Sequence, residues 1–288
     1  MGNLLSSWYN EGISCVPPPC MFSTTCYRLL SENPVCLRIG KFGTEWGRKN
    51  RSPIMFWAFW ISFVSWILLA ASIVSISTES SSVRAVPFFK GTITYTNITD
   101  QTTTDFNFYA GLNRIVVDDC NDRSVCPSST QSWNSESCRQ FFTSCEECED
   151  SSTASVTMVI VSFITQIPQI STDLTRSKVT YDLHCQKLMG ILTGILSLLG
   201  TLSSINSFAD SCYRDIEPSV DNITLDKKPG AALIFLIVAT ILKLFDIWAH
   251  LIVPVPETDY WKPDQFLAET LPSVTRNSNN SPTTTQPV

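Results

Sequence analysis

Residues 230–253 read GAALIFLIVATILKLFDIWAHLIV, a long run that is almost wholly apolar. Three further apolar runs occupy residues 54–77, 154–174 and 188–208. An α-helix rises about 1.5 Å per residue, so about 20 residues cross a hydrocarbon core of about 30 Å. The sequence therefore predicts an α-helical membrane protein with a bundle of four transmembrane helices.

The composition agrees with this class. Of the 288 residues, 44% are hydrophobic and 16% are charged, whereas soluble domains carry about 25% charged residues. The net charge of -6 is spread over loops and tails, so we expect no nucleic-acid partner. The first 53 residues contain no apolar run, so we expect no cleavable signal peptide and interpret residues 54–77 as both targeting signal and anchor.

Basic residues near the ends of the runs predict the orientation, because cytoplasmic flanks are rich in Lys and Arg. Before the first run and in the short segment 175–187 stand Arg38, Lys41, Arg48, Lys49, Arg51, Arg176, Lys178 and Lys187. Lys227 and Lys228, before the fourth run, count against this orientation and are outnumbered. We expect an integral membrane protein of the plasma membrane, with cytoplasmic tails at residues 1–53 and 254–288.

Sequons and cysteines agree with that orientation. The N-glycosylation acceptors Asn97 and Asn222 fall in the loops 78–153 and 209–229, which it places outside. These loops also hold Cys120, Cys126, Cys138, Cys145, Cys148 and Cys212. Six cysteines can pair completely in an oxidising compartment, whereas the reverse orientation leaves an odd number outside. The sequence predicts a disulfide-bonded glycoprotein and leaves the connectivity open.

The loop 78–153 is too long for a passive connector. Residues 86–95 and 105–118 are rich in aromatic and β-branched residues, with turn-forming residues between them. The stretch from 120 to 148 is polar and dense in cysteine, so we expect disulfides to replace a core there. The pattern predicts a small disulfide-rich β-sheet ectodomain in the first outer loop.

Both tails offer modification or disorder signals. Gly2 with Ser6 fits the N-myristoylation pattern. Three cysteines flank a proline run and are candidates for palmitoylation, the alternative being unmodified thiols: Cys15, Cys20 and Cys26. We therefore expect a lipoprotein. The tail 254–288 is rich in Pro, Thr and Asn, which is typical of disorder.

The third run carries a stripe of small residues at helical spacing: Gly190, Gly194, Ser197, Thr201 and Ser204. All fall on one face of a helix. Small residues let membrane helices approach closely, because lipid provides no hydrophobic drive between helices. The stripe predicts a packing surface, within the bundle or in a dimer.

The fourth run holds an ionisable cluster, Lys243, Asp246 and His250, at i, i+3 and i+7. One interpretation is a Lys243–Asp246 pair with His250 near the headgroups. The other is an ion or proton path shared with Gln166 and Gln169 of the second run. We expect the first, because we see no carboxylate partner in a second span.

The layout resembles the claudin and peripheral-myelin-protein superfamily of tetraspan proteins. The local match is Gly111-Leu112, which follows a predicted strand and precedes Cys120 and Cys126. Asn113 stands where the family has Trp, and the first cysteine lies further along. The resemblance implies cytoplasmic termini, a β-rich first outer loop, left-handed four-helix packing and adhesive or barrier contacts made by the outer loops.

No enzyme signature is present, so we expect no catalytic residue, cofactor or metal site. The two histidines, His184 and His250, have no neighbouring nucleophile with an orienting acid, and no phosphate-binding loop or HExxH helix occurs. We expect a structural, adhesion or membrane-organising interaction protein. Its partners would be the lipid bilayer and other membrane proteins or copies of itself, the latter giving a homo-oligomer. The alternative is a small channel, transporter or auxiliary subunit.

Overall fold

A computed structural model describes residues 34–97, 101–118, 130–177, 184–219 and 222–256. In chain order the helices are α1 (Pro34–Lys41), α2 (Glu45–Lys49), α3 (Arg51–Ile73), α4 (Ser80–Ala85), α5 (Glu136–Phe141), α6 (Cys145–Arg176), α7 (His184–Phe208) and α8 (Ala231–Ile252). The strands are β1 (Phe89–Thr96), β2 (Thr103–Ala110), β3 (Arg114–Val117), β4 (Thr130–Ser132) and β5 (Ile223–Pro229). A 3₁₀ turn (Val74–Ile76) extends α3, and a π-helical segment (Ala209–Arg214) extends α7.

Four helices are long and apolar enough to cross a membrane: α3, α6, α7 and α8, the first and third with their extensions. This part of the fold prediction is confirmed. Large apolar side chains such as Trp57, Ile164, Leu196 and Phe245 point outward, each more than half exposed. Serine, glutamine and charged side chains are instead buried between the helices. This arrangement, apolar outside and polar inside, suggests an integral membrane protein.

Several elements begin earlier than the apolar runs that predicted them. Helix α6 begins at Cys145, well before residue 154, and α7 begins at His184. Glu146 and Glu147 lie in the first turn of α6, where acidic side chains complement the positive end of the helix dipole. The apolar run 154–174 therefore covers only part of α6 and leaves out its first turns. The segment predicted as an N-terminal tail also contains two short helices, α1 and α2.

A five-stranded antiparallel sheet lies among the helices, in the order β4-β3-β2-β1-β5. The predicted sheet was confined to the loop between α3 and α6. The structure adds β5 from the loop between α7 and α8, paired with β1 so that Ile93 faces Leu225. The sequence of β5, ITLDKKP, is charged and ends in proline, which gives a weak strand signal but suits the edge of a sheet.

Aromatic side chains join the sheet to the helix ends in one core. Phe88 and Phe208 lie with their ring centroids 4.6 Å apart, and Phe89 contacts Phe108 at 5.5 Å. Trp133 is buried, although it lies in the cysteine-dense part of the loop where we expected disulfides to replace a core. That expectation is wrong, because this stretch contributes Trp133 and Phe142 to the main core.

The segment Gly111-Leu112-Asn113 connects the sheet to the helices. The Leu112 N–H donates to the Ser75 carbonyl at 3.1 Å, and the Asn113 amide donates to the Ile76 carbonyl at 2.8 Å. The Leu112 carbonyl accepts from Trp133 Nε1 at 3.0 Å. A Cβ on Gly111 would lie 2.6 Å from the Ser75 carbonyl oxygen, so this close approach requires glycine.

Two disulfides strengthen the sheet end of the molecule. Cys138 pairs with Cys145, and Cys148 pairs with Cys212. The second bond joins the start of α6 to the end of α7, and therefore joins the two loops. Cys120 and Cys126 lie outside the described residues.

We expect the Cys148–Cys212 bond to stabilise the fold more than the Cys138–Cys145 bond. The two bonds span 64 and 7 residues, and the longer span restricts the unfolded chain more. Replacing both cysteines of a pair with serine should lower the free energy of unfolding by about 4 kcal/mol for the first pair and about 2 kcal/mol for the second. Thermal unfolding of the two double variants in detergent measures the difference. Equal losses would contradict this ranking.

Candidate functional site

The ionisable side chains of α8 point into the bundle. Lys243, Asp246 and His250 are each at most 1% exposed. His250 therefore lies between helices, two residues before the end of α8. That it lies at the depth of the headgroups stays a prediction. In this environment each charged group needs a polar or charged partner, because water is not available to solvate it.

The partner carboxylate comes from α6. Asp173 Oδ1 lies 2.6 Å from His250 Nε2, and Asp246 Oδ1 lies 3.8 Å from the same nitrogen. The shorter approach is an ion pair when the imidazole is protonated. The expectation that no second span offers a carboxylate is therefore wrong.

A sequence signal for this partner does exist. Gln166, Gln169, Asp173 and Arg176 recur at i, i+3, i+7 and i+10, which places them on one face of α6. All four are at most 1% exposed. Asp173 is the one charged residue of the predicted run 154–174 and lies next to its end.

Arg176 and Gln169 contact the two ring nitrogens of His250. The Arg176 guanidinium contacts Nδ1 and donates to the Val253 carbonyl at 2.9 Å. The Gln169 amide nitrogen lies 2.9 Å from Nε2, the nitrogen that also faces Asp173 and Asp246. The imidazole thus lies between a guanidinium on one side and an amide and two carboxylates on the other.

The remaining oxygens of the two carboxylates accept hydrogen bonds from other helices or turns. Ser62 on α3 donates to Asp173 Oδ2 at 2.6 Å, and Gln169 donates to Asp246 Oδ2 at 2.7 Å. We name the set Ser62, Gln169, Asp173, Arg176, Asp246 and His250 the buried polar cluster. Three of the four long helices contribute to it, and Thr193 on α7 adds a hydrogen bond to Gln169.

Lys243 does not pair with Asp246. Its ammonium group donates to Ser197 Oγ on α7, and Asp246 is engaged with Gln169 and His250. The predicted Lys243–Asp246 pair is therefore wrong. The i, i+3 spacing put both residues on one face, but α7 and α6 supply different partners on either side of α8.

The small-residue stripe makes room for these contacts. A Cβ on Gly190 would lie 2.6 Å from His250 Cε1, and one on Gly194 would lie 2.8 Å from Ile247 Cγ1. Ser197 and Ser162 exchange hydrogen bonds to each other's carbonyls at 3.0 and 3.1 Å. The other two members of the stripe, Thr201 and Ser204, are also buried. The stripe thus packs within the bundle, against α6 and α8.

The buried polar cluster brings together groups that could bind a cation or exchange a proton. The ligating atoms of Asp173, Asp246 and His250 lie within 4.8 Å of one another, a spacing that a cation could bridge. The Arg176 guanidinium at Nδ1 supplies positive charge beside them, which opposes the binding of a second cation. An imidazole and carboxylates this close can exchange a proton.

The sheet end holds both described sequon asparagines. Asn97 follows β1 and Asn222 precedes β5. Nearby, Lys227 Nζ donates to the carbonyls of Arg214 and Ile216 at 3.1 and 2.9 Å, and burial lowers the pKa of this lysine. The lipidation candidates Gly2, Cys15, Cys20 and Cys26 lie outside the described residues.

No protein-family model matches this chain, and no curated protein matches it. The claudin-like resemblance therefore depends on the residues of the chain alone.

We expect Asp173→Ala to destabilise the bundle strongly. Removing this carboxylate leaves Ser62 without its acceptor and takes a compensating charge away from Arg176 and His250. Breaking a buried charged network in this way costs about 3–5 kcal/mol. Asp150→Ala, on an exposed position of the same helix, should change stability by less than about 0.5 kcal/mol. Thermal unfolding in detergent compares the two variants, and similar midpoints would contradict the role of Asp173.

Proposed function

We propose that this chain is a four-span integral membrane protein that acts as a structural, adhesion or membrane-organising interaction protein. Its contact surface would be the sheet end, which we name the platform and define as β1 to β5 with α5. The observation that carries the proposal is that strands from both loops form one sheet, tied to α6 and the end of α7 by Cys148–Cys212. Two loops that served only as connectors would need neither the shared sheet nor the disulfide.

Rigid attachment to the helices supports this proposal. The Leu112 backbone joins the platform to the end of α3 and to Trp133, and the aromatic core continues from β1 into α7. A surface held in one conformation loses little entropy when a partner binds. A displacement of the platform by a bound partner would therefore also displace the helices.

The outer edge of β5 supports it further. The Asn222 carbonyl accepts from the Thr96 N–H at 2.9 Å, so residues 222, 224, 226 and 228 turn their backbone groups toward β1. The alternate residues Ile223, Leu225 and Lys227 turn theirs outward. The Lys227 carbonyl, one of these outward groups, accepts from the Tyr213 hydroxyl at 3.4 Å. Strand β5 is the last strand in the order, so it forms one edge of the sheet. Backbone groups along such an edge can pair with a strand from a partner.

The proposed orientation places the platform outside the plasma membrane and both termini in the cytoplasm. The basic flanks, the position of Asn97 and Asn222, and the disulfides at the same end all favour this side. The resemblance to claudin-like proteins, whose outer loops make adhesive or barrier contacts, favours the same function. The partners would be membrane proteins or further copies of this chain.

The test is aggregation of suspended cells that express the chain, with surface expression measured. Leu225→Pro removes one outward N–H of β5, and Leu225→Ala removes the same side-chain packing but keeps that N–H. We expect aggregation with the parent and the Ala variant, and its loss with the Pro variant and after treatment with a membrane-impermeant reductant. Equal aggregation under all four conditions, or none with the parent, would overturn the proposal.

A second candidate function is proton-coupled transport through the buried polar cluster. The observation that favours it is Asp173, which gives His250 carboxylates on two different helices. Against it, two open clefts of the described residues, of about 510 and 290 Å³, include no member of the cluster among their lining residues. The interaction function is therefore the better supported of the two.

Reconstitution into liposomes with an internal pH dye tests this second function. A proton path would give acidification that Asp246→Asn reduces at least about tenfold, because the amide cannot exchange a proton. The matched control Asp150→Asn, on the exposed side of α6, should behave as the parent does. Absence of flux in the parent, or equal flux in parent and Asp246→Asn, would rule out this mechanism.

A further inference from the structure

Two cysteines face each other at the end of the bundle opposite the platform. Cys36 lies in α1 and is 4% exposed, and Cys185 lies in the first turn of α7 and is half-buried. Their sulfur atoms are 2.9 Å apart, and neither belongs to a disulfide. The residues are separated by 149 positions in the sequence, so only the tertiary fold brings them together.

We propose that Cys36 and Cys185 form a reversible disulfide that fastens α1 to α7. A disulfide needs the sulfur atoms at about 2.05 Å, so closing the gap requires a movement of about 1 Å. Both residues sit on helices that already pack against each other. This inference is independent of the proposed adhesive function.

The chemistry requires an oxidant, and a hydroperoxide is the class that fits two neighbouring thiols. The Cys185 thiolate, the more accessible of the two, attacks a peroxide oxygen and becomes a sulfenic acid, while the peroxide leaves as an alcohol or water. The Cys36 thiol then attacks the Cys185 sulfur and displaces water. The two sulfurs together lose two electrons and two protons. A dithiol reductant reverses the reaction by exchange.

The bond would act on the segment that covers this end of the bundle. The Val255 N–H donates to the Gly40 carbonyl at 2.9 Å, and the Thr44 N–H donates to the Ile252 carbonyl at 3.0 Å. Lys187 on α7 donates to the Phe42 carbonyl. Residues 40–44 thus hold the end of α8 and the residues after it. Oxidation would add a covalent link to these hydrogen bonds.

That segment continues into the buried polar cluster. Arg51, at the start of α3, donates to the Arg176 carbonyl at 2.9 Å. The Arg176 side chain contacts His250 and the Val253 carbonyl. A fixed α1 would therefore restrict opening of the helix ends around Arg176 and His250. The thiol pair is a modification site through which redox state sets the rigidity of this end.

The test uses the full chain purified in detergent and treated with hydrogen peroxide, then with an alkylating agent. We expect peptide mass spectrometry without reduction to find a Cys36–Cys185 linked peptide that dithiothreitol removes. Thermal unfolding should shift upward by roughly 5 °C on oxidation. The single variants Cys36→Ser and Cys185→Ser should fold but show neither the linked peptide nor the shift.

A separate control excludes the other cysteines of the N-terminal segment. A variant with Cys15, Cys20 and Cys26 all changed to Ser should still give the Cys36–Cys185 peptide and the same shift. Alkylation of both Cys36 and Cys185 after peroxide treatment would overturn the proposal. So would linkage of Cys185 to one of the three other thiols.

Discussion

The structure depends on one constraint, that charged side chains inside an apolar-faced bundle must satisfy one another. His250 lies between Arg176 on one ring nitrogen and Asp173 on the other, and the second carboxylate, Asp246, is held by Gln169. Four helices have to meet at a fixed depth for these contacts to form. Residue 190 must be glycine or a rearrangement is needed, because a Cβ there would collide with the imidazole ring of His250. Packing and electrostatics therefore specify the same arrangement of helices.

The other end of the molecule is organised differently. There, backbone pairing and covalent bonds replace buried charge: the sheet unites the two loops, Leu112 fastens it to the end of α3, and Cys148–Cys212 fastens it to α6 and α7. The result is a platform fixed to the ends of the helices. The proposed interaction role would use the platform, whereas proton exchange would use the buried polar cluster, and the two can be separated by variants that touch only one of them.

Some elements were predictable because their signal is local. Long apolar runs predicted four helices, and aromatic and β-branched residues predicted strands at 86–95 and 105–118. The structure has β1 in the first segment and divides the second into β2 and β3. Strand β5 was missed because its charges and proline suit an edge, and its partner β1 lies more than a hundred residues away in the chain. Asp173 lies within the predicted run 154–174, but its role was missed because its partner His250 is on another helix, and the periodicity of one helix does not show which helices become neighbours. The start of α6 was missed because its first turns are acidic.

The sequence by itself determined the class of the molecule, because helix length, apolar content and cysteine placement act within short segments. It also determined that Lys243, Asp246 and His250 share one helix face, since that follows from helical periodicity. Only the tertiary structure decided their partners. Pairing energies depend on which helices become neighbours, and Ser197, Asp173 and Arg176 reach α8 through packing that no local pattern encodes. The same holds for Cys36 and Cys185, whose proximity exists only because α1 folds back onto α7.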